Sequence, residues 1–150
     1  MKIEEAIQSK IENPHVRAVV NIRYTSNWMS TTQNNFMSQF SLTMPQFNIL
    51  RILRGAKGSI TVNTVKQRMV EKSPNTTRLM DKLIDKNLIE RERCKNDRRV
   101  VFVNISGKGL KLLAQIDEAL QKSSEDILVM NNLTNDEAHK LSELLDKLRG

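Results

Sequence analysis

The sequence predicts a mainly α-helical domain that contains one β-hairpin. Apolar residues recur three or four positions apart through most of the 150 residues, which is the periodicity of an α-helix. Helix-start signals precede these segments, and one pair of neighbouring segments is rich in β-branched residues. The apolar residues are mainly Leu, Ile, Val and Met, a mixture that suits helices. A chain of this length forms about one domain with a sizeable core.

The N-terminal part of the chain is predicted to form a long helix that is preceded by a separate short helix or by a helical extension. Residues 3–11 carry apolar side chains at helical spacing. Asn13 followed by Pro14 is a start signal, because asparagine caps a helix and proline fits its first turn. The long helix is expected over about residues 14–40. Its apolar residues lie around one broad face: Val16, Val19, Val20, Tyr24, Trp28, Met29, Phe36, Met37 and Phe40.

A buried helix is predicted next. Thr43 and Gln46 have the spacing of a capping box, in which each side chain bonds the backbone of the other residue. The apolar residues that follow occupy most faces of the helix, which therefore lies mainly inside the domain. Gly55 and Gly58 are expected to end it.

Two shorter helices are predicted after it. Ile60 stands alone as a strand-like residue, and Thr61 can cap a short helix. Ser73 and Pro74 repeat the cap-and-proline pattern and open a helix with one apolar and one polar face. Asn87 is expected to end this helix in a left-handed conformation.

The remaining segments complete the layout. Residues 88–93 and 100–105 are rich in β-branched residues, and the polar residues CKNDRR join them into a β-hairpin. Ser106 caps a helix expected over about residues 107–130, and a capping box at 134–137 begins a final amphipathic helix. Two short helices followed by a hairpin are the layout of a winged helix-turn-helix, whose second helix enters the major groove of DNA.

The net charge of +7 is concentrated in the middle third of the chain. Residues 66–111 hold 13 Lys and Arg against 6 Asp and Glu, whereas the rest of the chain holds 11 of each sign. Localised positive charge of this kind indicates a polyanionic partner such as double-stranded DNA.

The second short helix is predicted to contact DNA through its polar face and its N-terminus. Asparagine can pair with adenine, arginine with guanine or phosphate, and threonine with phosphate or thymine. An ordinary solvated helix face is the alternative for the same residues. The helix residues expected to contact DNA are Ser73, Asn75, Thr76, Thr77, Arg78 and Lys82.

The hairpin tip is predicted to be a DNA-binding wing. Lys95, Arg98 and Arg99 can grip phosphates or enter a narrow, electronegative minor groove. Asp97 is expected to orient a neighbouring arginine or the turn by charge-assisted hydrogen bonds. Protection of an exposed strand edge is the alternative, but it would not require a basic tip beside a basic helix.

The segments LTMPQFNILRIL and NTTRLMDKLIDKNLIERERCKNDRRVVFVNISGKGL resemble the MarR (multiple antibiotic resistance) family of winged-helix regulators. Asp97 and Arg99, followed by β-residues and by Ile105, Ser106 and Gly109, match that family's D-x-R…L-T-x-x-G signature. The motifs cover about residues 40–112. Asn87 stands where the family usually has glycine, and Ser106 where it usually has threonine. The D-x-R pattern favours Arg99 over Arg98 for the deeper DNA contact.

The resemblance implies a mainly α, winged helix-turn-helix fold with dimerisation helices at both ends. Residues 1–40 and 107–150 would then form the homodimer, and residues 41–106 would bind DNA. It further implies a repressor of a palindromic operator, since most members repress, and some members release DNA when they bind a small aromatic or lipophilic effector. Candidate lining residues for such an effector are His15, Arg17, Tyr24, Trp28 and Met44.

Enzymatic activity is not indicated, and no cofactor or metal is expected. P-loop, dinucleotide-binding, hydrolase and zinc-protease motifs are absent from the sequence. No apolar run approaches the roughly 18–20 residues that cross a bilayer, and the N-terminus does not resemble a signal peptide, so a cytoplasmic location is expected. Two alternatives stay open: a winged helix used for protein interaction, and a redox-responsive regulator that uses Cys94, which has basic neighbours.

Overall fold

The computed structural model describes residues 1–71, 75–94, 96–97, 99–123 and 132–150. Helices make up most of the fold, and the strands of a small antiparallel sheet come from the middle of the sequence. The elements are α1 (Ile3–Ile7), α2 (Pro14–Ser38), α3 (Met44–Ala56), β1 (Ile60–Thr61), α4 (Val62–Arg68), α5 (Thr76–Asp85), β2 (Ile89–Arg93), β3 (Val101–Ile105), α6 (Gly107–Lys122) and α7 (Asn135–Arg149). The mainly α, winged helix-turn-helix prediction is confirmed.

Local capping begins α2 and α3 where the sequence predicts. The side-chain oxygen of Asn13 accepts hydrogen bonds from the backbone N–H groups of His15 and Val16 at 2.9 and 3.2 Å. Thr43 and Gln46 form the expected capping box, with bonds of 3.1 and 3.4 Å. These bonds supply partners for N–H groups that the helix itself cannot satisfy.

Four helix boundaries differ from the prediction. Helix α1 ends at Ile7, whereas the apolar spacing extends to residue 11. Helix α3 continues through Gly55, and Lys57 rather than a glycine takes the left-handed conformation, with φ of 53°. Helix α5 begins at Thr76 with Asn75 as its N-cap, so it starts later than expected, and Ser73 and Pro74 lie outside the described residues. Helix α6 ends at Lys122, and the rest of its predicted span, 124–130, is likewise not described.

The sheet has three strands instead of the two of a simple hairpin. Its order is β1-β3-β2, with both pairs antiparallel. Ile60, expected to stand alone, pairs with Val103 of β3. The short β1 therefore attaches the wing to the segment that leads into α4.

The core is built around α3. Phe47, Ile49, Leu50 and Leu53 of this helix are at most 1% exposed. They pack with buried residues of the other elements: Phe36, Met37, Val65, Met80, Leu83, Ile89, Val103, Leu113 and Ile116. The core thus lies inside the winged part of the chain and reaches only one end of α2 and one side of α6.

The outer faces of α2 and α7 remain apolar and exposed. On α2 these residues are Val16, Val19, Ile22, Tyr24 and Trp28, and on α7 they are Leu141, Leu144 and Leu148. No residue of α7, all of which is described, is buried. Among the described residues no helix is long and apolar enough to cross a membrane.

Candidate nucleic-acid interface

Helix α5 is held by its apolar side and its C-terminus, so that its polar side stays exposed. Met80 and Leu83 are fully buried. Asn87 adopts φ of 58°, as expected, and its N–H bonds the Ile84 carbonyl at 2.7 Å, while the Leu88 N–H bonds the Leu83 carbonyl at 2.9 Å. This pair of bonds is a Schellman motif, which satisfies the last carbonyl groups of a helix.

The predicted DNA contacts on α5 are divided between surface and interior. Arg78 and Lys82 are exposed, Thr77 is half-buried, and Asn75 is exposed at the N-cap. Thr76, which was expected to contact DNA, is only 1% exposed. It lies in the first turn on the side of Met80, the residue one turn later, and therefore faces the interior. Thr77 is the threonine that the structure presents at the surface.

The wing turn is ordered by Asp97. Its carboxylate accepts a hydrogen bond from the Arg99 backbone N–H at 2.9 Å, and its carbonyl accepts one from the Val100 N–H at 3.0 Å. Asp97 thus fixes the backbone of the turn, one of the two roles expected of it, and leaves the exposed Arg99 guanidinium available to a partner. Lys95 and Arg98, the other predicted wing contacts, lie outside the described residues.

The two faces of the wing carry opposite charges. Residues directly opposite in an antiparallel pair share a face, and successive residues alternate between faces. Arg91 pairs with Val103 and Arg93 with Val101, so both arginines lie on the face that carries the core residue Val103. Glu90 and Glu92 lie on the other face. The positive face is the one directed toward α5.

A cleft of about 490 Å³ separates the wing from α4 and α5. Three cations line it, Lys66 from α4, Arg91 from β2 and Arg99 from the wing turn, and none of the described lining residues is acidic. The other lining residues are Thr61, Val62, Asn63, Thr77, Val100 and Val101. Converging cations and hydroxyls form a surface that suits a phosphate.

Arg91 also bonds α5 directly. Its Nη2 lies 2.7 Å from Oδ1 of Asp81, and both side chains are partly exposed. Asp81 stands one helical turn after Thr77, so the two residues share a face of α5. The ion pair joins β2 to α5 beside the cleft.

Sequence reasoning did not single out Asn63, Lys66 and Arg91 as site residues. Lys66 and Arg91 belong to the positively charged segment 66–111. They are 25 positions apart, however, and no local sequence pattern indicates that they lie at the same site. The alternation of Glu and Arg in β2 was the available signal, because a strand separates such residues onto two faces.

The five candidate effector residues do not form one site within the chain. His15 and Trp28 are thirteen positions apart on α2, about 20 Å along a helix that rises about 1.5 Å per residue. Arg17 forms an ion pair with Glu4, in which Nε of the arginine lies 2.5 Å from Oε1 of the glutamate. This ion pair lowers the pKa of Glu4 and raises that of Arg17.

Two of the five residues do lie together. Tyr24 and Trp28 are one helical turn apart and are 41% and 47% exposed. Met44, at the start of α3, is half-buried against the core, and its N–H donates to the Asn34 side chain at 2.9 Å.

The described residues contain no group of three or more His, Cys, Asp and Glu that could hold a metal ion. Cys94 is half-buried at the end of β2, where its N–H donates to the Val100 carbonyl at 2.9 Å. Its thiol therefore lies within the wing, and the redox role stays a prediction.

Comparison with known proteins agrees with this geometry. The sequence model of the MarR family matches residues 42–101. The multiple antibiotic resistance protein MarR of Salmonella typhimurium is 33% identical over 117 residues, which are 77% of this chain and 78% of that protein. A solved structure of a mutant MarR from E. coli complexed with operator DNA is similar with a TM-score of 0.77 and 27% identity, and covers 93% of this chain and 99% of that one. A MarR transcription factor from Planctomyces limnophilus has a TM-score of 0.68 and 31% identity, with coverage of 91% and 98%.

Proposed function

Because this chain belongs to the MarR family of DNA-binding transcription regulators, we propose that it binds a palindromic operator as a cytoplasmic homodimer and represses the genes beside it. The observation that carries this proposal is the basic surface that runs from α5 across the cleft to the wing. Arg78, Lys82, Lys66, Arg91 and Arg99 all contribute to it. The similarity to a mutant MarR structure complexed with operator DNA supports the proposal that this chain binds an operator.

Each element then has a defined role on DNA. Helix α5 enters the major groove, where Asn75, Thr77 and Arg78 reach base edges or phosphates. Arg99 reaches the adjacent minor groove or its phosphates from a turn that Asp97 holds. Ser73, Lys82, Lys95 and Arg98 extend the contact along the backbone.

The homodimer is proposed to form through the terminal helices. Residues 1–40 and 107–150 carry the exposed apolar faces of α2 and α7, whereas residues 41–106 hold the winged part. Two copies joined in this way would present two α5 helices to half-sites about one helical turn, roughly 34 Å, apart.

Selection from a random DNA pool followed by one substitution tests the proposal. An inverted-repeat sequence should be enriched, and its affinity should fall steeply with rising salt because bound phosphates release counterions. Arg99→Ala should weaken operator binding by about 1–3 kcal/mol, as measured by fluorescence anisotropy. Lys57→Asn removes an equal charge from the exposed C-cap of α3, outside the proposed DNA and dimer surfaces, and should bind like wild type.

Two results would contradict this reading. Unchanged operator affinity in the Arg99 variant would remove the wing from the interface. No selected sequence, together with salt-insensitive binding to a protein, would favour the alternative of an interaction module.

We further propose that a small aromatic or lipophilic effector binds beside Tyr24 and Trp28 and releases DNA. The exposed aromatic pair on α2 supports this assignment. Salicylate, used as a phenolic probe, should release labelled operator from wild type, and Trp28→Ala should require more of it. Equal release from both proteins would exclude Trp28 from the effector site.

A further inference from the structure

We propose that Asp81 is a positioning residue that holds the Arg91 guanidinium at the cleft, where Arg91 contacts a phosphate of the bound DNA. This inference rests on the proposed function, because it assumes that α5 and the wing bind neighbouring grooves of one duplex. It assigns a role to an acidic residue on a surface that otherwise attracts a polyanion.

The geometry of DNA dictates what must pass between α5 and the wing. The major and minor grooves are separated by one sugar–phosphate backbone. If α5 occupies the major groove and Arg99 approaches the minor groove, that backbone crosses the space between them. This space is the cleft lined by Lys66, Arg91 and Arg99, with Thr77 on the side of α5.

Arg91 is suited to grip a phosphate while it stays bonded to Asp81. A guanidinium carries five N–H donors in a planar fork, and the bond to Asp81 at 2.7 Å is made by Nη2. The remaining edge of the fork can donate to phosphate oxygens in the same plane. The ion pair would limit the rotamers of a long side chain that otherwise loses entropy when DNA binds.

Stability does not explain the ion pair. The two side chains are 35% and 49% exposed, and ion pairs at such positions add little to folding. A carboxylate on the DNA side of α5 also repels phosphates. The Asp81 carboxylate beside Arg91 is explained if orienting the guanidinium favours DNA binding by more free energy than this repulsion costs.

The opposite signs of these two effects allow a direct test. If Asp81 only repels DNA, Asp81→Asn should tighten binding to every duplex. If Asp81 positions Arg91, the same variant should bind the operator about tenfold more weakly and random DNA more weakly as well, because a phosphate contact is made on any sequence. Asp85→Asn is the matched control, because Asp85 is an exposed acid one turn later on α5.

The experiment uses the whole 150-residue chain and the operator selected from the random pool. Operator and random-duplex affinities are measured by anisotropy across a salt series for Asp81→Asn, Arg91→Gln and the double variant. In Asp81→Asn the dependence of operator affinity on salt concentration should become weaker by the amount expected for one lost phosphate contact. This is expected even though the variant carries one more net positive charge. The salt dependence should not become weaker in Asp85→Asn. In the Arg91→Gln background, Asp81→Asn should change operator affinity less than twofold.

Three outcomes overturn the inference. The first is that Asp81→Asn tightens both duplexes as Asp85→Asn does, and the second is that its effect persists in full without Arg91. The third is a lowered melting temperature that accounts for the weaker binding, which would make the ion pair structural. If the wild type binds no DNA specifically, the proposed function fails as well, and the wild-type titration separates that failure from the other three.

Discussion

At the scale of single residues, Gly109 in the first turn of α6 occupies a position that has no room for a side chain. A Cβ atom added there would lie 2.8 Å from Cγ1 of Ile105 and closer still to the Leu88 carbonyl oxygen. Helix α6 therefore approaches the backbone of Leu88 so closely that only glycine fits at position 109. The same helix begins with Gly107, where an added Cβ meets nothing within 4 Å.

Gly109→Ala should therefore destabilise the fold, whereas Gly107→Ala should not. Overpacking against a backbone carbonyl is expected to cost about 1–3 kcal/mol. The control at position 107 should change stability by less than about 1 kcal/mol. Urea unfolding of both variants measures the difference, and equal effects would rule out the close approach as the cause.

Ser106 joins two helix ends through one hydroxyl group. Its Oγ donates to the Asn87 carbonyl at 2.7 Å and accepts from the Gly109 N–H at 3.0 Å. It thus caps α6 and satisfies the carbonyl of the residue that ends α5.

Ser106→Ala should lower the free energy of unfolding by about 1–2 kcal/mol, since it removes a helix cap and one partner of a second hydrogen bond. Ser106→Thr keeps the hydroxyl and should stay within about 0.5 kcal/mol of wild type. Thermal or urea unfolding distinguishes the two variants. A threonine variant as unstable as the alanine one would show that packing, and not the hydroxyl, sets the cost.

At the scale of elements, α7 depends on its capping box. The Glu137 carboxylate accepts hydrogen bonds from the backbone N–H and the hydroxyl of Thr134, each at 2.8 Å. The backbone bond, followed by the hydroxyl bond, lowers the pKa of Glu137 below its ordinary value of 4.5. A lowered pKa in the folded state means that this carboxylate stabilises α7 when it is ionised.

The contribution of Glu137 should disappear in acid. It is fully present above the ordinary value of 4.5 and is lost as the pH falls through the lowered folded-state pKa. Near neutral pH the melting temperature of the wild type should therefore be higher than that of Glu137→Gln. This difference in melting temperature should disappear as the pH is lowered. Glutamine is neutral throughout, so a gap that stays constant with pH would assign the effect to shape alone.

The elements also show which boundaries could be predicted. Asn13, Thr43 and Ser106 mark helix starts, because a cap bonds N–H groups two or three residues away and needs no tertiary contact. The ends of α3 and α6 and the strand β1 were not predicted correctly, whereas the left-handed Asn87 after α5 was. The pairing of Ile60 with Val103 depends on a contact 43 positions away in sequence, for which no local pattern exists.

At the scale of the whole molecule, the apolar faces of α2 and α7 require a partner surface. Leu141, Leu144 and Leu148 are 47%, 54% and 61% exposed on one side of α7. Contiguous apolar surface of this kind marks an interface. A second copy of the chain is the proposed partner.

Leu141→Lys should therefore weaken the homodimer and, through it, operator binding. Each 1.4 kcal/mol of lost association energy is a factor of ten, so operator half-saturation should move to about tenfold higher protein concentration or more. His139→Lys places the same side chain on the opposite side of α7 and should leave both properties unchanged. Sedimentation measures the assembly, and an intact dimer in the leucine variant would exclude this face from the interface.

The sequence alone determined the starts of α2, α3 and α6, the wing, the basic middle third and the amphipathic character of α5, the helix proposed to read DNA. Each of these depends on groups within one contiguous segment, through capping bonds, periodicity or local charge. The tertiary structure decided that Thr76 is buried, that Lys66, Arg91 and Arg99 line one cleft, and that Asp81 bonds Arg91. These features depend on how α4, α5 and the sheet pack around the core, and a side chain's distance from residues of other elements is set only by that packing.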